Sequence, residues 1–266
     1  MRQTIFKCLL CASALALVIT ACKKDADVMP GQESQVSDAA LAKILALGFS
    51  NQNVVKDDAG YIVEGDIYLD EKDLDTKPSS VFLRIGGEEQ YRTTNLVTKL
   101  PRTITVSISN KLPSSYVAAL DEAISRYNAE NLSIKFSRVS SGANISLVKG
   151  NGSYLASAGF PTSSGEPYNQ VKVNSRAIGN QPQATVASII AHELGHCIGF
   201  RHTDYMDRSY SCGGSPTNEG ASTVGAILIP GTPSGPDPNS WMLSCIGSGQ
   251  NRPFNSNDKT ALNYLY

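Results

Sequence analysis

Histidine is scarce in this chain: 266 residues contain three. All three fall in one short stretch, so no imidazole is left elsewhere to activate a cysteine nucleophile. A surplus of charge is also missing. The 23 basic and 24 acidic side chains nearly cancel, with no basic patch to suggest nucleic acid and no long acidic run to act as a solvating tail. The apolar run Cys8 to Ile19 follows a basic start and is too short and wrongly flanked for a membrane span. Hydrophobic content is ordinary for a globular protein. The length allows one sizeable domain and a smaller segment.

What is present concentrates in His192-Glu193-Leu194-Gly195-His196-Cys197-Ile198-Gly199-Phe200-Arg201-His202, the pattern H-E-x-x-H-x-x-G-x-x-H. On a helix, His192 and His196 share one face and can reach one metal ion. Gly199 tolerates the backbone angles of a sharp turn, which would bring His202 round as a third nitrogen ligand. Three protein ligands leave the fourth zinc position open for water, the arrangement of catalytic rather than structural sites. Glu193 is then placed to take a proton from that water as general base.

The first residues read as a targeting segment. Ile19-Thr20-Ala21-Cys22 resembles the bacterial lipobox, which implies a signal peptide over 1–21, export, and a lipid anchor on Cys22 in the bacterial cell envelope. Residues 22–36 form a polar tether. Once Cys8 and Cys11 leave with the signal, Cys197, Cys212 and Cys245 remain in an oxidising compartment. Cys212–Cys245 would tie the loop after His202 to the Trp241-Met242 segment. Cys197–Cys212 is the competing pair, and otherwise Cys197 is a buried free thiol.

Along the chain, Ser37 caps a helix to Leu47, and Tyr61 to Leu69 reads as a strand interrupted by Gly65-Asp66. From Tyr91 onward the pattern predicts a strand over Arg102–Ser109 and a helix from Pro113 to Glu130. Strands follow at Leu132–Val139, Asn144–Val148, Gly152–Phe160 and Gln170–Asn174, then a helix over Ala184–Ile198. Ser209 to Pro238 is a long Gly/Pro/Ser-rich loop that should wall one side of a cleft. Asn255 caps a last helix ending near Tyr264, with Tyr264 and Tyr266 as packing residues. Arg201 and Asp207 are expected at the surface.

The zinc motif resembles that of the metzincin endopeptidases. That resemblance implies an α+β fold: a twisted mixed sheet of about five strands with a backing helix, an active-site helix and a C-terminal helix. Ser240-Trp241-Met242-Leu243, with Met242 40 residues after His202, is similar to the clan's Met-turn, a hydrophobic floor beneath one catalytic Zn2+. The resemblance further implies a protein or peptide substrate that adds as an extended strand to the edge near Tyr154–Ala158.

Val63-Glu64-Gly65-Asp66-Ile67 is similar to the F-x-G-D motif of astacin-like propeptides, whose aspartate reaches the zinc. On that reading, residues 37–90 are propeptide-like, Asp66 is a zinc latch, and 91–266 is the catalytic domain. Release would fall between Glu71 and Arg92. A turn at a strand end is the alternative for Gly-Asp. Two positions depart from astacins: Thr203 follows the third histidine, and Ser244 stands where those enzymes carry a tyrosine. Asp204 would orient a ligand or stabilise the turn. The combined motifs most resemble the bacterial dual-action HEIGH metallopeptidases. The expected protein is a monomeric, lipid-anchored zinc endopeptidase made as a latent precursor. A surface lipoprotein on a peptidase fold that binds without turnover is the rival, and the intact Glu193 argues against it.

Overall fold

The computed structural model describes residues 36–75, 90–221, 224–233 and 236–266. Cys22, the signal and nearly all of the tether lie outside them, as does most of the expected release stretch (76–89).

The N-terminal segment opens with α1 (Asp38–Ala46), whose first turn is capped by the Ser37 hydroxyl accepting from the Ala40 N–H. Three short strands follow: β1 (Val55–Asp57), β2 (Gly60–Val63) and β3 (Ile67–Asp70). The stretch read as one interrupted strand is therefore a hairpin, β2 antiparallel to β3. Glu64 and Gly65 make its turn, both at positive φ (54° and 93°). A 3-10 turn (Glu71–Asp75) ends the segment. Ile44, Phe49, Tyr61, Val63, Ile67 and Leu74 form a small apolar core of their own, with Phe160 and Val224 packed against it.

The larger part begins with β4 (Tyr91–Arg92) and continues through β5 (Arg102–Ile108), α2 (Ser115–Ala129), β6 (Ile134–Arg138), β7 (Ile145–Lys149), β8 (Ala156–Ala158) and β9 (Gln170–Val173). One-turn α3 (Ser175–Ile178) leads into α4 (Gln183–Ile198), followed by α5 (Ser209–Cys212), β10 (Ile227–Leu228) and α6 (Ser256–Leu265). The α+β class holds, but the sheet is larger than five strands. Its order is β1-β2-β3-β8-β9-β7-β5-β6, because the hairpin segment adds three strands to the five. Strands β5, β6, β7 and β9 run parallel to one another, and β8 is antiparallel to β9.

The far edge of β8 was expected to be open. Instead β3 covers it, pairing Ile67 with Ala158 in parallel, and the Ala158 N–H donates to the Asp66 carbonyl at 3.0 Å. Lys172 on β9 adds a second clasp, donating to Asp57 (2.7 Å) and Asp58 (3.0 Å) with its ammonium 4.5 Å from the Tyr68 ring centre.

Every residue of α4 from Thr185 to Ile198 is buried, so it is a central helix rather than an amphipathic surface one. α2 packs along it, where the Tyr127 hydroxyl donates to the Ala191 carbonyl at 2.7 Å. α6 starts with a capping box between Asn255 and Asp258, and Asp258 also accepts from Gln90, Ser240 and the Trp241 N–H. The start of the last helix is thus tied to the Met242 segment. Tyr266 packs as expected, whereas Tyr264 is exposed.

Removing the Lys172 ammonium leaves the Asp57 carboxylate, itself largely buried, with only the Tyr154 hydroxyl at 3.2 Å and no cation. Lys172→Ala should cost about 3 kcal/mol. Amide exchange should show it, rising over residues 55–70 while β5 stays protected.

Candidate active site

α4 places His192 and His196 one turn apart, facing the same side. The helix stops at Gly199 (φ 109°), where the Phe200 N–H donates back to the Gly195 carbonyl at 2.9 Å. A Cβ at Gly199 would stand 3.0 Å from the Asn95 carbonyl oxygen in a backbone conformation that side chains disfavour. That reversal returns His202 to the helix. The His196 Nε2 lies 3.0 Å from the His192 Nε2 and 3.2 Å from the His202 Nε2.

The hairpin supplies a fourth atom. Asp66 Oδ2 lies 3.1 Å from His202 Nε2 and 3.5 Å from His192 Nε2. Four atoms around a tetrahedral zinc, at about 2.0–2.1 Å each, would be about 3.3 Å apart. The donor set and its spacing both fit that ion.

The far side of each ring is held as well. His192 Nδ1 faces the Trp241 carbonyl (2.9 Å) and His196 Nδ1 the Phe200 carbonyl (2.8 Å). A carbonyl can only accept, so Nδ1 carries the hydrogen and the Nε2 lone pair points into the cluster. His202 Nδ1 faces both oxygens of Glu219, at 3.0 and 2.9 Å. Glu219, buried and also bound by Arg208 at 3.1 Å, is a site residue the sequence reading missed. Its one signal was to be the last glutamate of the chain, alone in a loop of small residues.

Met242 is fully buried beneath α4. Its sulfur would lie 2.6 Å from a Cβ at Gly195, so the glycine of the motif leaves the room it occupies. The Met242 carbonyl accepts from the Thr203 N–H at 3.0 Å. Asp204 turns away from the cluster and accepts from the Ser244 N–H (2.9 Å) and hydroxyl (2.8 Å) and from Ser211 (2.5 Å). Cys212 and Cys245 are joined in a disulfide in the same region, and Cys197 is a buried free thiol.

Arg201 is not at the surface. It is 1 % exposed and donates to Glu64 of the hairpin turn at 3.0 Å and to the Ala221 and Gly225 carbonyls. A positive charge beside the third histidine reads as solvated from sequence alone. It is buried because the hairpin brings a carboxylate to it.

Burial and mutual charge set the protonation tendencies. Burial works to raise the Asp66 carboxyl, but the charge of His202 and hydrogen bonds with His192 and His202 outweigh it and hold Asp66 well below the usual range. Burial, then the Asp66 charge, push Glu193 well above its ordinary value. Burial with the neighbouring imidazoles lowers His196, whereas at His202 the Asp66 and Glu219 charges overcome burial and raise it. Burial and Glu219 raise the Glu64 carboxyl to about 8 against the pull of Arg201. One oxygen each of Glu193 and Asp66, both beside the cluster, has no hydrogen-bond partner among the described residues.

A twisted mixed sheet, a central helix carrying two histidines, a third beyond a glycine turn and a methionine floor define a zinc metallopeptidase of the metzincin type. The family model for the dual-action HEIGH metallo-peptidases matches residues 70–266, and the chain belongs to that family. Among solved structures, one of myroilysin aligns with a TM-score of 0.43 and 15% identity, over 64% of this chain and 82% of that one. A second myroilysin structure gives 0.37 at 15%, over 62% and 83%. The hatching enzyme zinc-protease HCE-1 from Oryzias latipes (Medaka fish) gives 0.35 at 21% identity, over 61% and 88%. No curated protein sequence matches.

Glu219→Gln would remove the charge that orients His202. Zinc affinity should fall about 10–100-fold, measured by competition with a chromogenic chelator.

Proposed function

We propose that this chain is an exported, lipid-anchored zinc endopeptidase made as a latent precursor. The observation that carries the reading is the pairing of two carboxylates at one cluster: Asp66 on the ligand corner and Glu193 beside it with a free oxygen. His192, His196 and His202 hold the metal, each oriented through its Nδ1. A zinc ion held there would supply Lewis acidity, making a scissile carbonyl more electrophilic and water more acidic, with a pKa of roughly 7.

Glu193 is the general base. It accepts the proton of the attacking water and passes it to the leaving amine. A carboxyl whose affinity for protons is raised by burial suits both halves of that transfer. Met242 keeps the floor dry and the helix in place.

Asp66 is the latch. Its Oδ2, 3.1 Å from His202 Nε2, would take the place a water needs, and β3 lies along the strand edge that an extended protein or peptide substrate would join. Glu64 with Arg201, and Asp57 with Lys172, hold the hairpin there. Residues 37–90 serve as the propeptide and 91–266 as the catalytic domain of a monomer. Cys22, behind the signal 1–21, carries the lipid that anchors it in a bacterial cell envelope.

Purified 23–266 zinc-loaded protein, assayed on a quenched peptide library, tests the scheme. Asp66→Ala should cleave at least about tenfold faster than the parent chain, since the blocked state no longer dominates. Glu193→Ala in that background should lose about 10²–10⁴-fold or more with zinc content unchanged. Cleavage surviving Glu193→Ala would overturn the assignment. Radiolabelled fatty acid should enter the full chain and not Cys22→Ser.

A further inference from the structure

Beside the cluster lies a cleft of about 330 Å³ bordered by Asp66, His192 and Glu193. Ile189 on α4 and Leu243 and Ile246 after the methionine line it with apolar surface. Two arginines also line it, Arg208 and Arg252, and their situations differ. Arg208 has a carboxylate, Glu219, at 3.1 Å. The other buried cations that meet the hairpin are likewise answered, Arg201 by Glu64 and Lys172 by Asp57 and Asp58.

Among the described residues, Arg252 has only neutral acceptors. Its guanidinium donates to the Cys245 carbonyl at 2.6 Å and to the Gln250 side-chain oxygen at 3.2 Å. Its backbone N–H is pinned to the Ser188 hydroxyl at 2.9 Å, one helical turn before His192. Burial lowers its pKa, and Asp204 and Asp258 pull the other way from beyond ion-pair range. A guanidinium stays charged at any working pH and binds carboxylates through a planar fork. Against apolar walls, the attraction for one is stronger than in open water.

We propose that Arg252 is a specificity-determining residue that receives the carboxylate of an aspartate or glutamate next to the scissile bond. The idea of a scissile bond rests on the peptidase reading above; the binding of an acidic side chain does not. Ile189, Leu243 and Ile246 contact the aliphatic stem, and Arg252 takes the charge. A neutral amide in the same place leaves the half-buried cation as it is now, without a charged partner.

Calorimetric titration of the zinc-loaded full chain with N-acetyl-aspartyl-amide and with its neutral twin N-acetyl-asparaginyl-amide reads the cleft without turnover. The acidic compound should bind about tenfold or more tightly, the scale of one charge-assisted hydrogen-bonded pair. Arg252→Gln should abolish the difference with melting temperature and zinc content unchanged. Equal binding by the parent chain would overturn the proposal. So would a preference that survives Arg252→Gln, since the carboxylate would then be held by the zinc. If Arg252→Gln does not fold, the parent's Arg252 Nε–H resonance decides. It must shift with the acidic ligand and stay in place with the amide. A chain that never cleaves peptide would fail the peptidase reading and leave this titration intact, so the two failures are separable.

Discussion

Three imidazoles meet at one buried point with their Nε2 atoms 3.0–3.2 Å apart where measured against His196. Such a meeting is unfavourable in a bare apolar interior, because each ring brings polar atoms that must be satisfied. Much of the surrounding structure answers that demand. Trp241 and Phe200 give up carbonyls, Glu219 gives a carboxylate, and Gly199 gives the reversal that brings Phe200 and His202 back to the helix. The metal-facing lone pairs are what remains, and with zinc in the site they too have a partner. The methionine floor, the Asp204 bonds to Ser244 and the Cys212–Cys245 bridge hold the loops that carry these acceptors.

The N-terminal hairpin completes a second balance, one of charge. Arg201 and Lys172 belong to the larger part, and both are almost fully buried under carboxylates from the smaller one. Broken one at a time, such pairs are costly, because each leaves a buried charge behind. The hairpin therefore holds as a unit: edge strand, Asp66, Glu64 and the Asp57 clasp. Detaching it would reopen the β8 edge and free the ligand corner together. One cleft cation, Arg252, stands outside this balance: among the described residues its guanidinium meets only the Cys245 carbonyl and the Gln250 side chain.

The helix over Ala184–Ile198, its end at Gly199, the backing helix, five of the sheet strands and the last helix were all legible in sequence. Each is written in local chemistry: histidines four apart, a glycine at a positive-φ cap, alternating strands, a capping box at Asn255. The meeting of the three histidines, with Glu193 beside them, was legible for the same reason. The hairpin was not, because Glu64-Gly65 looks like an interruption until the strands on either side are seen to pair with each other. Glu219, Arg201 and Arg208 were not legible either. Arg208 pairs with Glu219 across 11 residues of sequence and Arg201 with Glu64 across 137, through pairings set by a loop with no periodic pattern.

The sequence by itself determined the metal chemistry, since helical spacing and one glycine are enough to converge two and then three nitrogens on a point. Tertiary structure alone decided what else reaches that point. A carboxylate from a distant hairpin, a glutamate from an irregular loop and an arginine that meets no carboxylate among the described residues owe their positions to packing between segments. No local pattern records such contacts, because the free energy that selects them is shared between parts of the chain that are far apart.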